Sequence, residues 1–281
     1  MSRRSSLATT LGRNGLREVY QTTCFVALAA MTRSRGDFME RVIFERMAEQ
    51  DQHHWWFVAR RRILGDVIRR VVKPRKGARV LEIGCGTGHN LGMLGEFGKL
   101  EACELDAIAR GMASDRLGRP VLEARLPDLS MFKTGSYDLI ALLDVLEHVP
   151  DDVGSLKAIR KLLKPGGALL LTVPANKWMW SAHDVAHHHF RRYTKSELTR
   201  LLSAAGYEVQ LHSHFNSLLF PAVAAARIVG KLRGSESADD EMPGPTVNGI
   251  LERVFGLEAS LIGRIPMPFG VSLIAVVRRP V

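Results

Sequence analysis

Between residues 79 and 213 the chain alternates short apolar runs with longer amphipathic stretches. Arg79–Ile83, Leu100–Glu104, Pro120–Glu123, Tyr137–Leu143, Ala168–Val173 and Tyr207–His212 are short and β-rich, so each is predicted to be a strand. His89–Phe97, Ala107–Leu117 and Asp151–Leu163 carry their apolar residues at helical spacing, and Pro165-Gly166-Gly167 stops the last of them. Thr194 and Glu197 form the Thr-x-x-Glu signature of a helix start, and Gly206 ends that helix. Strands alternating with helices of this length predict an α/β fold, with a parallel sheet covered on both faces.

The flanks follow other rules. Phe38, Val42, Ile43 and Met47 recur at helical spacing, then come His53-His54-Trp55-Trp56-Phe57 and a second helix, Ala59–Val72, ended by Pro74. The aromatic block is read as packing, because aromatic rings dominate buried contacts. Residues 214–269 break the rhythm. Leu218–Val229 is an apolar helix with Arg227, Lys231 and Arg233 near its end, residues 234–249 read as a linker, and Leu251–Ile262 is helical. Val271–Val277 is the final strand. Residues 1–36 have no strong period and are expected to form a basic, disordered tail. That leaves 37–281 as the folded domain, with 214–269 as a helical lid or insertion. The tail also fits a transit peptide or a start upstream of Met31 or Met39.

Composition narrows the class. Hydrophobic residues make up 46% and charged residues 24%, as in soluble globular proteins. The longest apolar runs, such as Cys24–Met31, fall short of the roughly 18 residues that suggest a bilayer span, which argues against an integral membrane protein. Cys24, Cys85 and Cys103 are too few and odd in number for a disulfide framework, so a reducing, cytoplasmic setting is expected. The net charge of +10 is localised: residues 1–76 hold 16 Lys and Arg against 7 Asp and Glu, and the main body is close to neutral. A nucleic-acid partner is therefore disfavoured.

Chemistry concentrates first at Glu82-Ile83-Gly84-Cys85-Gly86-Thr87-Gly88, where a strand runs into alternate glycines and then a helix. Such glycines allow a tight turn and let a ligand approach with no Cβ in the way. The helix start adds free N–H groups and a positive dipole end. The dinucleotide pattern G-x-G-x-x-G/A fails, because its last position is His89. Glu104 follows Gly84 by 20 residues, at the end of the second strand, where an acid accepts hydrogen bonds from ribose hydroxyls.

These residues, with Tyr137-Asp138-Leu139-Ile140, Leu143-Asp144-Val145-Leu146-Glu147-His148-Val149-Pro150 and Lys164-Pro165-Gly166-Gly167, resemble the class I S-adenosylmethionine-dependent methyltransferases. The resemblance covers roughly residues 40–281 and is similar to the bacterial type 11 and 12 groups. It implies a Rossmann-like, doubly wound sheet of seven strands, the last antiparallel, with amino-terminal helices and a helical insertion before the last strand. It implies S-adenosylmethionine as cofactor, its methionine part on Gly84 and Gly86 and its ribose on Glu104. Glu82, Cys85, Gly88, Leu105, Leu143 and Asp144 would line the same site. For the adenine two alignments stay open, Glu123-Ala124 or Arg125-Leu126. Arg60 and Arg61 stand where relatives place an arginine for the cofactor's carboxylate, and a solvated helix face fits them equally well.

On the acceptor side, the Asn/Asp-Pro-Pro-Tyr-like run of nucleobase N-methylating families is replaced by Leu143-Asp144-Val145-Leu146-Glu147-His148, which disfavours that reaction. Asp144, Glu147 and His148 stand at i, i+3 and i+4, so a helical turn would place them on one face, able to hold an ion such as Mg²⁺. A similar acid-x-x-Glu-His run marks metal-assisted O-methyltransferases of the ubiquinone pathway and of small RNAs, usually with Glu first; metal-free relatives also carry Leu-Glu-His. After the fifth strand, Trp180-Ser181-Ala182-His183-Asp184 and His187-His188-His189-Phe190-Arg191-Arg192-Tyr193 resemble a bacterial methyltransferase group often found beside glycosyltransferases. There His183 is expected as proton acceptor, oriented by Asp184 or His189. A solvent-exposed cluster is the other reading of His187 to His189.

The function expected is methyl transfer to an oxygen of a small-molecule, saccharide or lipid-linked acceptor. The alternatives are an RNA-directed methyltransferase and a non-catalytic cofactor-fold binding module. Leu218–Val229 with its cations fits peripheral membrane contact or a lipid-like acceptor as well as a lid or dimer element.

Overall fold

The structure, a computed structural model, describes residues 48–233 and 242–281. The expectations for the tail 1–36 and for the helix around Phe38 to Met47 lie outside the described residues.

α1 spans Trp55–Val67 and widens into a π-helical turn, Ile68–Val72, that ends at Lys73 in the left-handed region. It begins four residues earlier than the apolar period indicates, because His54 caps it through its ring, accepting from the Trp56 N–H. β1 (Arg79–Ile83), α2 (Leu91–Gly95), β2 (Lys99–Cys103) and α3 (Ala107–Leu117) follow. Asp106 caps α3 by accepting from the N–H groups of Ile108 and Ala109. β3 (Tyr137–Leu143), α4 (Asp152–Leu162) and β4 (Leu163–Pro174) form the next unit. Then come α5 (Ala182–Ala186), α6 (Lys195–Ala204) and β5 (Glu208–Phe215). The capping box expected at Thr194 and Glu197 is present. α7 (Phe220–Arg233), α8 (Pro245–Gly256) and α9 (Glu258–Leu261) precede β6 (Ser272–Arg278).

The sheet has six strands in the order β2-β1-β3-β4-β6-β5. Seven were expected. Residues 120–123 do not form a strand: they make a single parallel bridge, Leu122 to Cys103, too brief to count as a ladder. The β1, β2, β3 and β4 pairings are parallel, and β6 pairs antiparallel with both β4 and β5. Strand side chains alternate between the two faces, and the core splits accordingly. Val80, Leu139, Ala141 and Leu170 pack with α1, α2 and α8 through Ile63, Leu64, Leu94 and Phe255. Leu81, Ile140, Leu142 and Leu171 pack with α4 and α6 through Leu156, Ile159, Leu198 and Leu202.

α7 runs against the usual pattern, in which the apolar stripe of a helix faces the core. Its exposed residues between 220 and 230 are all apolar: Pro221, Ala222, Ala225, Ala226, Ile228 and Val229. Arg227 turns inward and donates to the Met179 carbonyl and to Ser181 Oγ. No helix among the described residues is long and apolar enough to cross a membrane.

Candidate active site

The carboxyl ends of β1 to β4 bring the singled-out residues to one edge of the sheet, where open α/β sheets bind ligands. Gly84, Gly86 and Gly88 all have φ between +54° and +87°, a region costly for residues with a Cβ. They differ in what surrounds them. A Cβ on Gly84 would meet Val145 Cγ2 at 2.6 Å, and one on Gly88 would meet Leu91 Cδ1 at 2.7 Å, so these two glycines accommodate the protein's own packing. A Cβ on Gly86 would meet nothing within 4 Å. Open space above a strained glycine is the cradle that a ligand lying against the backbone needs.

Glu104 faces this cradle. Its Oε2 accepts from the Gly86 N–H at 2.8 Å and its Oε1 from the Asp106 N–H at 2.9 Å, so both oxygens are oriented while further lone pairs remain. Arg110 donates to the carbonyls of Glu104 and Leu105 and to Glu123 Oε2, which gathers these three expected residues. Leu105 is exposed, Leu126 packs half-buried on the second core cluster, and Leu143 and Cys85 are buried.

Arg60 and Arg61 part company. Arg60 is buried and donates to Asp144 Oδ2 at 2.5 Å and to Thr172 Oγ1 at 2.9 Å, with a longer contact to Asn90 Oδ1. Asp144 holds φ +56°, a conformation Asp tolerates. Arg61 points elsewhere, into the surroundings of Asp51 and Arg116. Thr172 and Asn90, the partners of Arg60, escaped the sequence reading, since nothing local marks a threonine within a strand as an acceptor.

Glu82 lies beneath the loop, fully buried, with Oε1 accepting from Asn90 and Oε2 without a partner. Burial pushes its carboxyl up to about 8 from 4.5. A group that holds a proton in the folded state but not in the unfolded one makes stability fall as pH rises between those values. Glu82→Gln keeps the neutral form. It is expected to leave the thermal midpoint nearly unchanged at pH 4 and to raise it by several degrees at pH 9. An equal effect at both pH values would contradict the buried, protonated carboxyl.

Residues 146–148 form a 3₁₀ turn, and the Phe190 N–H donates to the Glu147 carbonyl, docking the 175–194 loop on it. Asp184, fully buried, is the hub of that loop. Its Oδ2 accepts from the Ser181 N–H, while its Oδ1 faces His189 Nδ1 at 2.8 Å and Arg192 Nε at 2.8 Å. Burial pushes the Asp184 carboxyl up, but the bonds from His189 and Arg192 outweigh it and hold it well below the usual range. An ionised carboxylate only accepts, so the His189 nitrogen facing it carries the proton and Nε2 is left as the basic atom.

The orienting pair expected around His183 is thereby corrected. Asp184 and His183 are neighbours on α5, and consecutive helical side chains do not face one another. The carboxylate serves His189 instead. The His183 ring lies tilted against that of His187, centroids 4.3 Å apart, and its centroid is 6.2 Å from that of His189. Arg192 was visible in the sequence as one of a pair, with no local sign that it would clamp Asp184.

The metal set is corrected too. One potential ligand atom each from Glu147, His148 and His189 lies within 4.8 Å of the others, and His189 takes the place expected for Asp144, which Arg60 engages. Burial, with Asp144 adding to it, raises the Glu147 carboxyl well above its ordinary value. Burial and the neighbouring His189 lower His148 to about 4.

Comparisons with known proteins place the chain among methyltransferases. Residues 53–212 match the family described as methyltransferase domain. The ubiquinone biosynthesis O-methyltransferase of Xanthomonas campestris pv. campestris is 30% identical over 163 residues, 51% of this chain and 67% of that one. The enzyme of the same name from Xanthomonas oryzae pv. oryzae is 38% identical over 103 residues, 34% of this chain and 43% of that one. The methyltransferase solved with the Haloferax volcanii Trm112 activator superimposes with a TM-score of 0.56 at 19% identity, covering 84% of this chain and 94% of that one. A SAM-dependent methyltransferase from Archaeoglobus fulgidus gives 0.51 at 15% identity, covering 78% and 94%. The glycine cradle at the end of β1, the acid at the end of β2 and the family match together show that the chain belongs to the methyltransferase-domain family, as a class I S-adenosylmethionine-dependent methyltransferase.

Proposed function

We propose that the chain transfers the methyl group of S-adenosylmethionine to a hydroxyl oxygen of a small-molecule, saccharide or lipid-linked acceptor, with His189 as general base. The observation that carries this reading is the Asp184 carboxylate, which joins His189 to the buried Arg192 and fixes the ring's tautomer. A hydroxyl is a poor nucleophile near neutrality, and a positioned base removes that obstacle. The curated relatives, named O-methyltransferases, support the oxygen acceptor. The outward apolar face of α7 supports the lipid-linked end of the range. In this reading the cofactor lies across Gly86 with its ribose on Glu104, and Arg60 and Asp144 border its methionine end. Incubation with methyl-labelled cofactor and a cell extract, separated into lipid, polysaccharide, RNA and small-molecule fractions, tests it. Label in a lipid, saccharide or small-molecule fraction as a methyl ether is expected; label confined to RNA would overturn it.

A second reading rests on the Glu147–His148–His189 group. Two imidazoles and one carboxylate suit a zinc-class ion better than Mg²⁺, which prefers oxygen ligands. Such an ion would polarise the acceptor oxygen and turn His189 from base to ligand. Turnover on the labelled acceptor separates the two. With His189 as base, a chelator leaves it unchanged; loss with chelator and recovery with Zn²⁺ would establish the metal.

A further inference from the structure

Behind the glycine loop, on the side to which Arg61 turns, an open pocket of about 610 Å³ lies between α1, α2 and α3. Its size falls within the range of small-ligand sites. Arg61, Arg62, Arg69 and Arg116 line it, against Asp51 and Glu96. The other three arginines have partners: Arg116 pairs with Asp51 at 2.6 Å, Arg69 with Glu96 at 2.7 Å and Arg62 with Glu252 at 3.4 Å. Arg61 has no ion pair among the described residues, and its Nη1 is buried without a hydrogen-bond partner. Leaving a charged donor desolvated and unpaired costs more than the same loss for a neutral one. Gly88 and Gly92 keep the wall low on the α2 side.

We propose that this pocket binds a phosphate-bearing small anion, with the Arg61 guanidinium as its principal contact. Guanidinium groups grip phosphate through paired N–H bonds, and a phosphate would pair the Arg61 charge and offset the crowding of like charges. That crowding is felt nearby. Burial, then Arg60, Arg61 and Arg116, keep His89 in the pocket wall neutral, its pKa well below the ordinary value. The pocket shares Gly88 and His89 with the cofactor loop but not Gly86 or Glu104, so it is separate from the cradle.

Titration calorimetry on the full chain with orthophosphate and with pyrophosphate, at matched ionic strength against chloride, tests the proposal. At least one of the two is expected to bind, and which binds tighter tells a monophosphate site from a diphosphate one. Arg61→Gln should weaken that binding at least about tenfold and Arg61→Lys by less, while S-adenosylmethionine affinity stays within about twofold. Arg200→Gln, at an exposed position on α6 that does not line the pocket, should change neither. The proposal is overturned if neither phosphate binds, or if Arg61→Gln leaves their binding intact. It is overturned equally if Arg61→Gln abolishes S-adenosylmethionine binding while the variant stays folded, since the guanidinium then serves the cofactor's carboxylate.

Discussion

Gly86→Arg is expected to weaken S-adenosylmethionine binding by at least about 100-fold, or about 2.7 kcal/mol, while the protein stays folded. The reason lies in the contrast among the three glycines. Gly84 and Gly88 are filled in by Val145 and Leu91, so substituting them would disturb the core. Gly86 faces open space, so a side chain there meets only what binds there. The backbone adds a small penalty, because its φ of +54° costs a residue with a Cβ roughly 1–2 kcal/mol. Gly86→Ala isolates that penalty: a similar loss of midpoint with a much smaller loss of affinity is expected. Calorimetric titration and thermal denaturation read both quantities. Full affinity in Gly86→Arg would remove the glycine loop from the cofactor site.

His189→Ala is expected to lower turnover by about 10²–10⁴-fold, with cofactor affinity within about twofold, because the loop carrying it docks on Glu147 and not on Gly86. Asp184 keeps Arg192 and the Ser181 N–H in that variant, so the loop retains its anchor. His189→Gln preserves a donor toward Asp184 without a basic nitrogen and should be as inactive as the alanine variant. His183→Ala should cost much less than either. Turnover measured on the acceptor identified by labelling decides the order; His183→Ala more damaging than His189→Ala would return the base to His183.

Much of the fold could be read from the sequence where a local rule applied. Ala107–Leu117 and Tyr137–Leu143 match the described elements residue for residue, because Asp106 caps the first and an apolar run interrupted by Asp138 alone marks the second. Residues 120–123 have the composition of a strand but make one bridge, since a strand at the sheet margin depends on partners that composition does not reveal. The linker expected over 234–249 gives way to α8 at Pro245, which sits in the first turn of a helix as readily as in a loop.

The site was legible to the same extent. The alternate glycines sit in one short turn, and Glu104, at the end of the adjacent parallel strand, reaches the Gly86 N–H with its carboxylate, so their spacing conveys their geometry. The Asp184–His189–Arg192 arrangement also comes from a single loop, yet its pairing was misread, because a helical turn directs Asp184 away from its neighbour and toward the chain's return. Arg60 with Asp144 and Thr172 joins residues 84 and 112 positions apart, which no spacing rule connects. The apolar run of α7 was legible as a candidate for membrane, lid or dimer contact, but not that its apolar residues would turn outward while Arg227 turns inward, which only the fold decides.

Transfer of a ¹³C-methyl group from S-adenosylmethionine, followed by NMR in a cell extract with the purified chain, tests the central claim most directly. A methoxy signal is expected with the unaltered protein and is expected to vanish with both Gly86→Arg and His189→Ala. Methyl carried on nitrogen or carbon, or a methoxy signal that persists in His189→Ala, would contradict it.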